Sequence, residues 1–185
     1  MTSIIEITID EFKKEFLEKF EELFPEKERR PLNKITASYH DGVEKIFKIV
    51  SNNDAVGFIL LEKLPSHPYY IDYFAIFTEY QGKGYGTEVI QLLKKEYIDS
   101  GIIAEIEKVE ATDFITQKRL EFYTRNGFKT IDSEYFIYGV TFMPIVLGVV
   151  EEKETLDKIY RDYYIANTSE ELVKKYFRKG DGSFF

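Results

Sequence analysis

Gln81-Gly82-Lys83-Gly84-Tyr85-Gly86 is the stretch on which the reading of this chain turns. Before it, residues 69–77 are mostly apolar and aromatic and suit a central strand. After it, Val89, Ile90, Leu93 and Tyr97 fall on one face of a helix that Gly101 is placed to end. A strand thus runs into a glycine-dense loop, and the loop becomes a helix. The first backbone N–H groups of a helix have no partner inside it and sit at the positive end of the macrodipole. Glycines let that backbone approach an anion closely, and the product is a phosphate cradle. A P-loop would close on Gly-Lys-Ser/Thr, whereas this turn ends Gly-Tyr-Gly-Thr. A Rossmann fingerprint would need a third glycine at position 87, which is Thr. Three alternate glycines also exceed what a plain strand-to-helix turn requires.

Working outward, residues 3–8 alternate apolar and polar and predict a short strand. Asp10 can cap a helix on which Phe12, Phe16, Phe20 and Phe24, joined by Leu17 and Leu23, form one apolar face; Pro25 ends it. Residues 26–31 read as a charged loop. Residues 43–50 and 55–61 are β-rich runs joined by the polar turn Ser51-Asn52-Asn53-Asp54, which predicts a hairpin. Beyond Gly101, a strand is expected over 102–109, a helix over 116–126 closed by Gly127, strands over 128–140 and 143–149, and helices over 151–164 and 170–178. There is no repeat, low-complexity tract or linker. The expected fold class is α/β of the mixed type, a sheet covered by helices, in one domain over 1–185 with 151–185 as a helical extension.

Composition narrows the function. The chain has 185 residues, 14 Tyr and 16 Phe but no Trp, and no cysteine. The missing cysteine removes disulfides, thiolate metal sites and an acyl-cysteine intermediate, so any group transfer is expected to be direct unless a Ser or Thr intervenes. A net charge of −8 disfavours nucleic acid as a partner and points first to solubility. The most apolar run, 142–150, contains Pro144 and Gly148 and is too short to span a membrane. Residues 1–10 lack a basic region followed by an apolar one, so no signal peptide is expected and the cytoplasm is the expected compartment. No metal-ligand spacing is present, and no metal is expected; His40 and His67 fall in expected loops.

The glycine turn resembles the Arg/Gln-x-x-Gly-x-Gly/Ala signature of the GNAT superfamily of N-acetyltransferases, and Phe74-Ala75-Ile76-Phe77 looks like the strand leading into it. Phe122-Tyr123-Thr124-Arg125-Asn126-Gly127-Phe128 is similar to a second element of that family, Phe-Tyr-x-x-x-Gly-Phe. The resemblance implies a central, mostly antiparallel sheet with a splayed parallel strand pair, flanked by helices. It implies acetyl-CoA as cosubstrate, with the pyrophosphate on Gln81, Gly82, Lys83, Gly84, Tyr85, Gly86 and Thr87. It implies that the pantetheine arm pairs with backbone at Ile76 and Phe77, one of whose N–H groups polarises the acetyl carbonyl. Thr116 stands where many members carry an Asn that bonds the arm, and Arg119 is placed to reach a CoA phosphate.

Attack of a neutral amine on a thioester needs a base, a donor for the developing oxyanion and an acid for the leaving thiolate. By the resemblance, Tyr123 is the acid. For the base, Ala104-Glu105-Ile106 resembles the Leu-Glu-Val of some protein N-terminal acetyltransferases, and Glu105 ranks first. Asp72 follows, two residues from Tyr70, where the histone-acetylating branch has its base; Glu107 shares the face of Glu105 by the two-residue period. The acceptor is expected to be a primary amine of a small molecule or peptide, shaped by the N-terminal helix, the 26–31 loop and the strands after Phe128, in a monomer or homodimer. Arg29 and Arg30 either bind an acidic substrate group or pair with loop acids such as Glu21 and Glu22. The alternatives are a CoA-binding sensor and an interaction domain without transferase activity.

Overall fold

A computed structural model describes residues 1–64, 68–137, 139–148 and 153–183. His67 and the predicted element ends at 149–152 lie outside the described residues. The chain divides into two compact units, Met1–Lys63 with Tyr70–Tyr97, and Leu64–Tyr69 with Ile98–Phe185. It is a mixed α/β protein whose described strand registers are antiparallel, as expected.

The first unit begins with β1 (Thr2–Ile7), followed by α1 (Ile9–Glu15) and α2 (Leu17–Leu23). The one helix expected over this stretch is two. Thr8, not Asp10, caps α1, closing a capping box in which Glu11 N–H donates to Thr8 Oγ1 and Thr8 N–H to Glu11 Oε2. The break falls at Phe16 (φ −127°, ψ −8°), and the rings of Phe12, Phe16 and Phe20 still converge on Phe58 at 5.5–6.2 Å. These rings form the core with Ile35, Ile46, Leu60, Tyr73, Ala75 and Phe77. The expected 26–31 loop holds a 3-10 turn, Glu26–Glu28. A third helix, α3 (Leu32–His40), was not anticipated, and it makes His40 a helix end rather than a loop residue.

Next come β2 (Glu44–Ser51), β3 (Asp54–Lys63) and β4 (Tyr69–Ile76), in the order β1-β2-β3-β4. Asn52 and Asn53 have φ of 52° and 71°, the pair of positive values that a type I′ hairpin turn requires. Gly57 lets β3 press against β4, since a Cβ there would lie 2.1 Å from the Ala75 carbonyl oxygen. Helix α4 (Tyr85–Tyr97) follows, buries Val89, Ile90, Leu93 and Tyr97, and receives the Thr2 N–H on Glu88 Oε2.

The second unit holds β5 (Ile102–Glu107), α5 (Phe114–Arg125), β6 (Lys129–Thr130), β7 (Tyr135–Ile137), β8 (Val140–Leu147), α6 (Lys153–Asn167), α7 (Glu170–Tyr176) and β9 (Phe177–Lys179). Its strands run β5-β8-β7-β9, with β6 also on β8. The single strand expected over 128–140 is therefore two short ones on successive stretches of β8: Lys129 faces Val146, and Tyr135 faces Phe142. The C-terminal helices join this unit through Tyr160, whose hydroxyl donates to the Ala104 carbonyl at 3.4 Å, and Tyr135, whose hydroxyl donates to Asp157 at 2.7 Å.

Candidate functional site

In the first unit the glycine turn has the shape its sequence requires. Gly82 and Gly84 hold φ of 75° and 88°, a region that residues with a Cβ avoid. A Cβ added at either would meet nothing within 4 Å, so the glycines are there for backbone direction and leave open space above the turn. Glu88 N–H donates to the Gly84 carbonyl and closes the first helical turn. In general the first amides of a helix have no carbonyl one turn earlier within it. The turn is braced by its own side chains: Gln81 Nε2 donates to the Ile76 carbonyl at 2.9 Å, and Lys83 Nζ donates to the Glu79 carbonyl at 2.9 Å and lies 5.1 Å from the Tyr80 ring centroid. Phe77 N–H donates to the Val56 carbonyl at 2.9 Å. By the alternation of a strand, the N–H of Ile76 points to the opposite edge of β4.

Asp72 does not stand alone on β4. Arg30 Nη1 pairs with Asp72 Oδ2 at 3.0 Å and Glu62 Oε2 at 2.5 Å, and Arg30 Nη2 pairs with Glu44. One oxygen from each of the three carboxylates lies within 4.8 Å of the others, and the guanidinium takes the cation position of this donor set. The sequence reading missed Glu44 and Glu62. The signal was there: Glu44 is in phase with buried Ile46, and Glu62 with buried Leu60 and Phe58, and an acid in core phase demands a cation. Arg29 pairs with Glu21 at 3.2 Å, one of the acids anticipated for it, while Arg30 turns inward.

In the second unit, Asp113 caps α5 by accepting from the N–H groups of Ile115 and Thr116. The Thr116 hydroxyl donates to the Asp113 carbonyl at 3.0 Å and accepts from Glu110 N–H at 3.4 Å, so its one proton is committed to the helix start. Tyr123 is 8% exposed and packs edge-on to Phe122 and Phe128, each at 5.1 Å. Burial pushes its phenol up to about 12, and the Arg119 charge opposes the shift. Arg119, one turn earlier on the same face, pairs with Glu107. Glu105 Oε1 accepts the hydroxyl proton of Tyr164 on α6. Burial and then the Glu105 charge hold the Tyr160 and Tyr164 phenols well above the ordinary range. The sequence reading took α6 only as part of an extension, with Tyr164 at its predicted end.

Glu105 thus meets a neutral phenol, whereas guanidinium groups meet Asp72 and Glu107. A carboxylate already paired with a cation is the weaker proton acceptor. The two motifs are each built: an open glycine turn ahead of a 13-residue helix and a buried tyrosine on another.

Known proteins share this fold. A Bacteroides thetaiotaomicron protein assigned to the GNAT family aligns over 90% of this chain and 98% of its own, with a TM-score of 0.75 at 22% identity. A dodecameric spermidine N-acetyltransferase from Vibrio cholerae aligns over 79% of this chain and 92% of its own, with a TM-score of 0.57 at 15% identity. At these identities the likeness is one of fold. In sequence, the Bacillus subtilis (strain 168) protein YjbC, which carries an acetyltransferase name, is 38% identical over 64 residues; the match spans 35% of this chain and 32% of that protein. The model of the acetyltransferase (GNAT) family matches residues 3–128, a span that contains both the glycine turn and the Tyr123 element, and the chain belongs to that family.

Proposed function

We propose that this chain is an acetyl-CoA-dependent N-acetyltransferase that moves the acetyl group directly to a primary amine of a small molecule or peptide. The observation that carries the proposal is the glycine turn. Its backbone is set by two positive-φ glycines, and nothing fills the space a Cβ would take. The turn fits the pyrophosphate of CoA: the amides from Gly82 to Thr87 are the binding groups, and Lys83 adds charge close by. Bound acetyl-CoA supplies an activated thioester. The family match begins in the first unit and extends into the second as far as residue 128, and we read 1–185 as one domain, with 151–185 a helical extension, working in the cytoplasm as a monomer or homodimer.

The chain's own groups take these parts. Ile76 N–H, directed away from the β3 edge, is the donor for the acetyl oxygen, since Phe77 N–H is spent on Val56. Glu105 accepts the proton of the incoming ammonium, with Tyr164 fixing its carboxylate through Oε1. Tyr123 Oη keeps its proton at neutral pH, the state in which it can protonate a departing thiolate. Arg119 pairs with Glu107, on the same strand as Glu105. The absence of cysteine supports direct transfer. The test is release of CoA thiol from acetyl-CoA across a panel of primary amines. Acceptor-dependent release supports the reading; binding of acetyl-CoA with no release to any amine or N-terminal peptide counts against transferase activity.

A further inference from the structure

Glu44 and Glu62 face one another directly in the register of β2 and β3. Like charges in that position repel. Arg30 reaches between them from the segment before α3, donating to Glu44 Oε2 through Nη2 and to Glu62 Oε2 at 2.5 Å through Nη1, and its Nη1 lies in ion-pair range of Asp72 Oδ2 at 3.0 Å. The side chains of Arg30, Glu44, Glu62 and Asp72 are 7%, 0%, 7% and 8% exposed. The nearby hydroxyl of Tyr73 is occupied elsewhere, accepting from Arg30 N–H at 2.6 Å and donating to the Glu28 carbonyl at 3.2 Å. Were all three ionised, Glu44 would sit without water against the like charges of Glu62 and Asp72. Burial and like-charge repulsion both favour the protonated form of a carboxylate placed in this way. Glu44 is the most enclosed of the three, and its second oxygen, Oε1, is buried with no hydrogen-bond partner.

We propose that Arg30, Glu44, Glu62 and Asp72 form a buried proton-binding site in which Glu44 keeps its proton at neutral pH while the guanidinium serves the other two carboxylates. Burial, followed by the charges of Asp72 and Glu62, pushes Glu44 well above the ordinary carboxylate range against the opposing pull of Arg30. The site fastens residues 28–30 to β2, β3 and β4 through Arg30 and Tyr73. Its proton therefore links the anchoring of that segment to pH. None of this depends on the acetyl-transfer reading.

The test is urea unfolding of the full chain and of Glu44→Gln between about pH 6 and pH 8. An unfolded glutamate loses its proton near 4.5. Above that value the folded wild type holds a proton that the unfolded chain has released, so its stability falls as pH rises until Glu44 ionises. Gln mimics the protonated acid and does not titrate. We expect Glu44→Gln to be no less stable than wild type at pH 7, with its folded-to-unfolded ratio gaining on wild type by about tenfold per pH unit. A destabilised variant with a gap that is flat in pH would overturn the proposal, because it would mark Glu44 as an ordinary ionised partner of Arg30. If the variant does not fold, carbon-13 titration of wild-type glutamate carboxyls decides. One glutamate still protonated at pH 7 is expected, and complete ionisation below that pH would overturn the proposal.

Discussion

Replacing Gly84 separates the two jobs its backbone does. With φ at 88° and nothing within 4 Å of an added Cβ, Gly84→Ala meets no atom and suffers only the left-handed backbone cost, about 1–2 kcal/mol. For a chain of this size that lowers the melting temperature by roughly 2–8 °C. Gly84→Glu carries the same backbone cost and adds a negative charge to an exposed turn read as an anion cradle. A charge about 5 Å from a phosphate at an effective dielectric near 20 gives about 3 kcal/mol of repulsion. Solvent and salt at an exposed site reduce this to about 1–2 kcal/mol, about a fivefold to thirtyfold loss of affinity for acetyl-CoA. Isothermal titration at low and at physiological salt, with melting curves to confirm folding, reads both quantities. The Glu variant should melt like the Ala variant, bind acetyl-CoA far more weakly, and recover part of the loss as salt rises. A folded Gly84→Glu protein with wild-type affinity would refute the cradle.

Other substitutions probe other parts of the account. Gly57→Ala puts a Cβ 2.1 Å from the Ala75 carbonyl oxygen and should cost about 3 kcal/mol or more, read by urea unfolding; a neutral result would mean that β3 and β4 are not so closely apposed. Tyr123→Phe should leave acetyl-CoA affinity unchanged and lower kcat about tenfold to a hundredfold. The Tyr123 phenol ionises near 12 in the folded chain against 10 unfolded, so the stability it confers is intact below pH 10 and is lost as pH climbs toward 12; a melting series over that range in wild type and Tyr123→Phe checks the sign. Glu105→Gln should cut kcat about a hundredfold at unchanged acetyl-CoA affinity, whereas an unaltered rate would pass the base role to another group.

The parts of the molecule legible in sequence are those where local chemistry dictates the backbone. Gly82 and Gly84, the Asn-Asn hairpin turn and the Asn126-Gly127 helix stop each demand one conformation, and each adopts it. The Phe-rich face was legible as core, but its helix is broken at Phe16, where packing of the rings on Phe58 overrides helical continuity. Thr8 and Asp10 are both capping residues; Glu11, three residues after Thr8, was the signal that chooses between them. Helix α3 buries only Ile35 fully, too thin a stripe to stand out as a pattern. Strand β9 exists by pairing with β7, a long-range contact with no local signature. The partners of the candidate carboxylates were likewise invisible: Arg30 lies 42 positions before Asp72, and Tyr164 lies 59 after Glu105. Candidate residue types could be named from the sequence, but the charges that tune them come from elsewhere in the chain.

The central claim is that the glycine turn takes the phosphates of acetyl-CoA. Thermal unfolding with and without acetyl-CoA, alongside NADH and ATP, tests it directly, because a ligand that binds only the folded chain raises its melting temperature. The account predicts a concentration-dependent rise with acetyl-CoA that NADH and ATP do not match. No rise at saturating acetyl-CoA, or an equal rise with all three, would contradict it.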